Sequence, residues 1–165
     1  MDSKLVQALN NQYNFERLSS ALYYALSLKV DEKNLVGMAS WMRKQAVEEQ
    51  SHADKISSYL IDRNQSVFVG ELPASNPVVS GELMAIGKEV FEAALEHEHK
   101  VTARMQALHE ISSEVKDEAT CIFLQWFISE QVEEEKTLDE ILTKFDLGMG
   151  NGAVIMLLDN ELGQR

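Results

Sequence analysis

Residues 120–145 read TCIFLQWFISEQVEEEKTLDEILTKF, and their pattern decides the fold class. Apolar side chains recur at intervals of three and four residues, which is the spacing of one face of an α-helix. Near the middle of that face the apolar stripe is interrupted by Gln131 and Glu134. The segment therefore predicts a long amphipathic helix whose packing face carries polar groups at mid-height.

Three other segments repeat this design. A looser apolar stripe near the N-terminus carries Glu16, and the next one carries Glu49 and His52. A third carries Glu98, and a short apolar segment closes the chain. The predicted helices lie at about residues 3–30, 32–63, 82–111, 113–145 and 153–162.

The connections between these helices predict the topology. The first two and the last two long helices are almost directly joined, so each pair is expected to form an antiparallel hairpin. Asp31 is expected to cap the start of the second helix. Residues 64–81 contain both prolines, Pro73 and Pro77, and are interpreted as a long crossover. The sequence predicts one all-α domain over residues 1–165, a four-helix bundle with one crossover and a short fifth C-terminal helix.

Composition and charge narrow the possible functions. Fifteen basic against 27 acidic residues give a formal net charge of −12, which disfavours nucleic acid and anionic membranes as partners and attracts cations. The N-terminus lacks the pattern of a secretory signal, and the apolar run near the C-terminus, residues 153–158, is too short to cross a bilayer. Cys121 is the single cysteine, so neither a disulfide nor a thiolate metal site is expected. A cytoplasmic protein is predicted.

The acidic side chains on the packing faces need a compensating charge. A buried carboxylate is costly unless it is protonated, hydrogen-bonded or bound to a cation. All four long helices place a carboxylate at similar height, and a pair of divalent cations would resolve the repulsion. Oxygen ligands with one imidazole suit iron or manganese, with zinc as a competitor. Glu49 and His52 lie one turn apart and can reach one metal, which Glu16 would complete from the first helix.

Each of these residues also has a purely structural interpretation. A single E-x-x-H sequence on a helix is common, and Glu98 stands among charged neighbours. The acidic run at residues 133–135 would ordinarily be an exposed face. Methionines and aromatic residues of the stripes are interpreted as core, and Trp41 and Trp126 as packing residues. The coincidence of four mid-helix positions is what favours a metal centre.

At these positions the sequence resembles the bacterial non-haem ferritins, over essentially the whole chain. The resemblance rests on NFERLSSALYY, EEQSHADK, ALEHEHKVTARM and FLQWFISEQVEEEK, one segment from each long helix. It implies a ferritin-like bundle with ferroxidase activity, which oxidises Fe(II) with dioxygen or hydrogen peroxide and stores the ferric mineral. It also implies a homo-oligomeric 24-mer cage, in which the helix at residues 153–162 packs around the four-fold axis. Without the resemblance, the alternative is that this apolar helix folds back onto its own bundle.

The resemblance assigns residues to a di-iron centre and to a third iron site nearer the cavity. The first iron site would consist of Glu16, Glu49 and His52, with Glu49 bridging. The second would consist of Glu98 and Glu134, with Gln131 beside it. The third would consist of Glu48, Glu130 and Glu133, with Glu134 shared.

Other positions refine the resemblance. Tyr23 matches a tyrosine next to the di-iron centre, where it would bond a ligand or supply an electron, although a core tyrosine is an equal alternative. Thr137 replaces the second histidine that bacterioferritins keep three positions after the residue matching Glu134. Gln50 and Ser51 occupy the region of the haem-binding methionine, so no haem is expected. The fifth helix distinguishes the chain from mini-ferritins.

Two other functions stay open at this point. A di-iron oxygenase or a manganese catalase of the same bundle type would share the carboxylate cluster, although such enzymes normally carry the second histidine. A non-catalytic helical interaction protein would leave these acids solvated. Of the three, the sequence favours iron oxidation and storage.

Overall fold

The computed structural model describes residues 1–164, in which the chain forms five α-helices and no β-strand. In chain order they are α1 (Ser3–Asp31), α2 (Val36–Asp62), α3 (Ile86–Glu114), α4 (Glu118–Gly148) and α5 (Gly152–Gly163). Within this range none of the helices combines the length and the apolar character that a bilayer crossing needs. The predicted all-α class, with four long helices and a short fifth, is confirmed.

The long helices pair in the predicted order. Helix α1 packs along α2 and α3 packs along α4, while α1 also contacts α3 across the two pairs. Helix α5 packs mainly on α2. Residues 63–85 join the two pairs through turns and irregular chain, so the predicted long crossover is present.

Two asparagines of α1 hold the first part of this crossover. The Asn10 amide donates to the Ser66 carbonyl at 3.1 Å and accepts from the Phe68 N–H at 2.6 Å. One turn later, the Asn14 amide donates to the Phe68 carbonyl and accepts from the Gly70 N–H, both at 2.8 Å. Four residues of helix rise about 6 Å, and two residues of extended chain span about 6.6 Å. The spacings match, so each asparagine satisfies alternate backbone groups of the crossover.

The bundle core consists of two apolar clusters that lie on either side of a polar layer. One cluster includes Leu26, Met38, Trp41, Phe91 and Phe145. The other includes Leu9, Ile56, Leu60, Met105 and Phe127. Full burial of such a side chain contributes about 1.5–3 kcal/mol, so the clusters can offset the cost of burying polar groups between them.

The prediction that Asp31 caps the second helix is wrong. Asp31 is the last residue of α1, and the chain then turns through Asn34, whose φ of 61° is left-handed. The cap of α2 comes instead from α5, because Asp159 Oδ1 accepts a hydrogen bond from the Met38 N–H at 2.9 Å. Gly37 permits this approach, since a Cβ there would lie 1.7 Å from the Asp159 carbonyl oxygen. A tertiary contact therefore replaces the local cap.

The fourth helix also begins later than predicted. Helix α3 continues to Glu114, and Lys116 then takes a left-handed φ of 57°. Asp117 caps α4 by accepting a hydrogen bond from the Thr120 N–H at 3.0 Å. The third helix likewise begins at Ile86, four residues after the predicted start.

The Asp117 carboxylate also anchors the end of α2 to the start of α4. The Arg63 guanidinium donates to both of its oxygens, at 3.0 and 2.8 Å. These hydrogen bonds are the main cause that lowers the pKa of Asp117 to about 2, from an ordinary value of 3.8. This ion pair is mostly shielded from solvent, and its two parallel bonds make it stronger than an ordinary surface pair.

Replacement of Gly37 by alanine should displace α5 from the start of α2. The new Cβ meets backbone atoms of Asp159, which cannot move without shifting the helix. We expect Gly37→Ala to destabilise the protein by about 1–3 kcal/mol, measured by thermal unfolding. Gly152→Ala is the matched control, because its Cβ would make only ordinary contacts with Met84. Equal melting temperatures for the two variants would contradict the close approach.

Replacement of Asp117 by asparagine should remove the anchor between α2 and α4 in a pH-dependent manner. We expect Asp117→Asn to cost about 1–2 kcal/mol at pH 7. Because the folded-state pKa of Asp117 is lowered, its contribution is present above pH 4 and declines as the pH falls toward 2. The difference in unfolding free energy between the two proteins should shrink over that range. A difference that stays constant would rule out the ion pair as its source.

Candidate metal centre

The polar layer between the two apolar clusters contains most of the predicted ligands. All four long helices contribute to it, because each places a polar residue on its packing face at mid-height. The predicted residues that are buried there are Glu16, Glu49, His52, Glu98, Gln131 and Glu134. The helical spacing of the stripes thus brings side chains from distant parts of the chain to one level of the bundle.

Three of these residues form a compact cluster, which we call the first cluster. One ligand atom from each of Glu16, Glu49 and His52 lies within 4.8 Å of the others, and all three residues are buried. The Nδ1 atom of His52 is 3.6 Å from Glu49 Oε1, too far for a hydrogen bond but suitable for sharing one ion. These are the residues predicted for the first iron site.

Four residues form a second cluster on the side of α4. Ligand atoms of Glu48, His52, Glu130 and Glu134 lie within 4.8 Å of one another. Glu48 and Glu130 are less buried than the other two. The cluster unites three of the residues predicted for the third iron site and adds His52. Glu133 is exposed and, within the described chain, belongs to neither cluster.

Glu98 occupies the same layer but is bonded differently. Its Oε1 accepts a hydrogen bond from the Tyr23 hydroxyl at 2.7 Å, and its Oε2 accepts one from the Gln131 amide at 2.9 Å. Among residues 1–164 it is not part of either ligand cluster, although its charge acts on Glu49 and Glu134. Tyr23 is buried and touches a predicted ligand, as the resemblance implied.

The polar layer is electrostatically strained by its own carboxylates. Burial raises the pKa of Glu16 well above its ordinary value, and the neighbouring Glu49 raises it further. Burial raises the pKa of Glu49 in the same way, with added repulsion from Glu98 and Glu134. Burial and Glu98 together raise the pKa of Glu134 to about 8. The layer therefore favours any species that brings positive charge into it.

Three carboxylate oxygens of the first cluster lack hydrogen-bond partners in the part of the chain that the structure describes. They are Glu16 Oε2, Glu49 Oε1 and Glu49 Oε2. A buried acceptor without a donor is unfavourable, and in native proteins such groups commonly bind a water molecule or an ion or have a catalytic role. Three free oxygens beside one imidazole fit a hard or borderline divalent cation such as Fe(II).

Two glutamines complete the layer and were not predicted as functional. The Gln45 amide donates to Glu48 Oε2 at 3.1 Å and to Glu134 Oε2 at 3.3 Å. The Gln12 amide donates to Glu16 Oε1 at 2.7 Å. The sequence did contain a signal for Gln45, because a polar residue on the apolar stripe of α2 is expected to face the bundle interior. Gln12 lies one turn before Glu16 in α1.

Comparison with known proteins places this geometry in a family. A family model described as a ferritin-like domain matches residues 6–148. A bacterial non-heme ferritin from Bacteroides fragilis is 37% identical over 165 residues, which cover 100% of this chain and 99% of that protein. One from Escherichia coli is 33% identical over 161 residues, covering 96% and 93% of the two chains.

Solved structures agree with the sequence comparison. An open-pore ferritin from the hyperthermophilic archaeon Archaeoglobus fulgidus superposes with a TM-score of 0.94. It is 34% identical in sequence, and the alignment covers 100% of this chain and 99% of that one. A closed form engineered from that ferritin gives a TM-score of 0.89. The family model, the full-length relatives and the fold together show that this chain belongs to the ferritin family.

Proposed function

We propose that this chain oxidises Fe(II) in the polar layer of its bundle and passes the ferric product to a mineral store. Iron storage with ferroxidase activity is the function of the family to which it belongs. The observation that carries the proposal is the set of unpartnered, buried oxygens of Glu16 and Glu49 beside His52.

Iron is the substrate in this proposal, and the side chains supply its binding site. One Fe(II) would bind Glu16, His52 and Glu49. A second would bind Glu98 and Glu134, with Glu49 bridging the two ions. Both oxygens of Glu49 lack partners in the described chain, which supports a bridging role for this residue.

The reaction balances as a two-electron oxidation. Each of two Fe(II) ions loses one electron to become Fe(III). One dioxygen takes up both electrons and two protons to give hydrogen peroxide, or one hydrogen peroxide takes them up to give two waters. Carboxylate ligands favour Fe(III) over Fe(II), because a negative ligand attracts an ion of charge 3+ more strongly than one of charge 2+. The protein contributes geometry and negative charge, and the electrons come from the substrate.

The second cluster is proposed as a holding site on the way to the mineral. Glu48 and Glu130 are less buried than Glu16, Glu49 and His52, and Glu133, on the same helix as Glu130, is exposed. A ferric ion could therefore move outward through ligands of increasing exposure. Tyr23 is proposed to orient Glu98 or to supply an electron, which its 2.7 Å hydrogen bond to that carboxylate supports.

Storage requires a container, so we propose a homo-oligomeric 24-mer cage in the cytoplasm. Helix α5 supports association, because Met156 and Leu157 on its outer side are 63% and 68% exposed. Large exposed apolar side chains that lie together usually mark an interface. The net charge of −12 would raise the local concentration of Fe(II) around the particle.

An oxygenase or manganese catalase is the alternative enzyme of this bundle type. Those enzymes normally use a second histidine where this chain has Thr137. Nothing in the geometry of the layer favours them over iron oxidation.

Removal of the two proposed ligands on α2 should strongly slow iron oxidation. We expect Glu49→Ala with His52→Ala to lower the initial rate of Fe(II) oxidation by a factor of at least about 10. Mutation of residues that only hydrogen-bond a metal ligand already lowers metal affinity or activity by about 10–100-fold, and loss of two ligands should cost at least as much. The rate is measured from the rise of ferric absorbance after anaerobic Fe(II) is mixed with air-saturated buffer.

The chain contains a matched control for this experiment. Glu96 and His99 form another E-x-x-H pair on α3, but both side chains are exposed. Glu96→Ala with His99→Ala should keep the wild-type rate. Equal loss in both double variants, or no loss in either, would contradict a centre built on the first cluster.

The purified chain should behave as a very large particle. We expect analytical ultracentrifugation to give a mass near 24 times the 18.6 kDa of one chain, and electron microscopy to show hollow spheres. After incubation with Fe(II) and oxygen the iron should sediment with the protein. A small dimer that leaves ferric iron in solution would argue against storage.

A further inference from the structure

Only one oxygen of the Glu16 carboxylate accepts a hydrogen bond from the described residues, and its donor is the side chain of Gln12. Gln12 lies four residues earlier on α1, which places both side chains on the same face of the helix. The Gln12 amide is buried and donates to Glu16 Oε1 at 2.7 Å. The other oxygen, Oε2, has no partner within residues 1–164. One oxygen of the carboxylate is therefore occupied by the protein and one is left free.

The orientation of the Gln12 amide is fixed by Arg104 of α3. The Nε–H of Arg104 donates to Gln12 Oε1 at 2.9 Å. A guanidinium has only donors, so it can face the oxygen of an amide but not its nitrogen. The amide nitrogen must then face Glu16. If the amide turned over, it would set an oxygen against a carboxylate and a nitrogen against a cation.

Arg104 is itself held in place by α1. Its guanidinium lies 4.1 Å from the centre of the Phe15 ring, a cation–π contact. Its Nη2 donates to the Asn11 carbonyl at 3.2 Å. The Phe15 ring stacks in turn on His97, with centroids 5.2 Å apart. The arginine of α3 is therefore fixed against α1 by contacts with the protein alone.

We propose that Arg104 and Gln12 are positioning residues of the first cluster, which make Glu16 a ligand through Oε2 alone. Glu49 differs, because neither of its oxygens is engaged by the described residues, and it is free to contact two ions. The hydrogen bond from Gln12 thus distinguishes a terminal ligand from a bridging one. This inference rests on the proposed function. It specifies how Glu16 would bind the ion at the first cluster.

Gln12→Leu tests the inference, because leucine keeps the bulk of the side chain and removes the amide. The probe is Co(II), added anaerobically to the assembled protein and followed by its visible absorption. We expect affinity at the first cluster to fall about 10–100-fold, as for the loss of other groups that orient metal ligands. The absorption bands should also change shape, because a freed Glu16 can bind through both oxygens.

Asn10→Leu is the matched control. Asn10 also lies on α1, is buried, and uses its amide for hydrogen bonds to the crossover rather than to a ligand. This variant should lose thermal stability while it keeps the wild-type Co(II) affinity and spectrum. If Asn10→Leu weakens Co(II) binding as much as Gln12→Leu does, the effect is general loosening and the inference is wrong.

Arg104→Met tests whether the arginine acts through Gln12. Alone, it should weaken Co(II) binding, and Arg104→Lys should restore part of the affinity, since lysine also donates. In the Gln12→Leu background Arg104→Met should have no further effect. If the two substitutions reduce Co(II) affinity additively, Arg104 acts by its charge, and the inference that it acts through Gln12 is wrong. Should Gln12→Leu fail to assemble, unchanged affinity in Arg104→Met would overturn it as well.

The wild-type titration separates this inference from the proposed function. If the wild-type protein binds no Co(II) in the polar layer, the proposed iron site itself fails. If the wild type binds Co(II) and Gln12→Leu binds it equally well with the same spectrum, only the positioning role fails.

Discussion

The main constraint on this structure is a layer of carboxylates buried in the middle of the helical bundle. Glu16, Glu49 and Glu98 are almost completely removed from solvent, and each belongs to a different helix. Ionised carboxylates in such a place repel one another and lack water, so their burial opposes folding. The apolar clusters above and below the layer provide the opposing free energy. The bundle can tolerate the polar layer because a large apolar cluster lies on each side of it.

The hydrogen bonds in the layer are distributed unevenly among the carboxylates, which leaves some of their oxygens free to bind an ion. Glu98 has both oxygens engaged, by Tyr23 and Gln131, whereas Glu16 has one engaged and Glu49 has neither. The free oxygens belong to Glu16 and Glu49, which form the first cluster with His52. Donors are therefore scarce in the first cluster, whereas Glu98, the proposed ligand of the second ion, is held through both of its oxygens.

Helical periodicity made the fold predictable, and also the burial of Glu16, Glu49 and His52 at one level, since it decides which side chains face inward. The same geometry explains Glu133, because a residue next to Glu134 points about 100° away around the helix and reaches solvent. The start of α2 was not predictable, because its cap is Asp159, 121 residues further along the chain. Arg104 was missed for the same reason, since its bond to Gln12 spans 92 residues and leaves no local pattern.

The two clusters differ in what a bound ion would connect. The first takes its ligands from α1 and α2 only, which form one helical pair. The second takes them from α2 and α4 and therefore spans both pairs, with His52 common to the two clusters. An ion in the second cluster would link halves of the bundle that the chain joins only through the crossover. Ligand binding stabilises the native state by about 2.7 kcal/mol at one hundred times the Kd. Iron would thus stabilise the contact between the helical pairs in addition to serving as substrate.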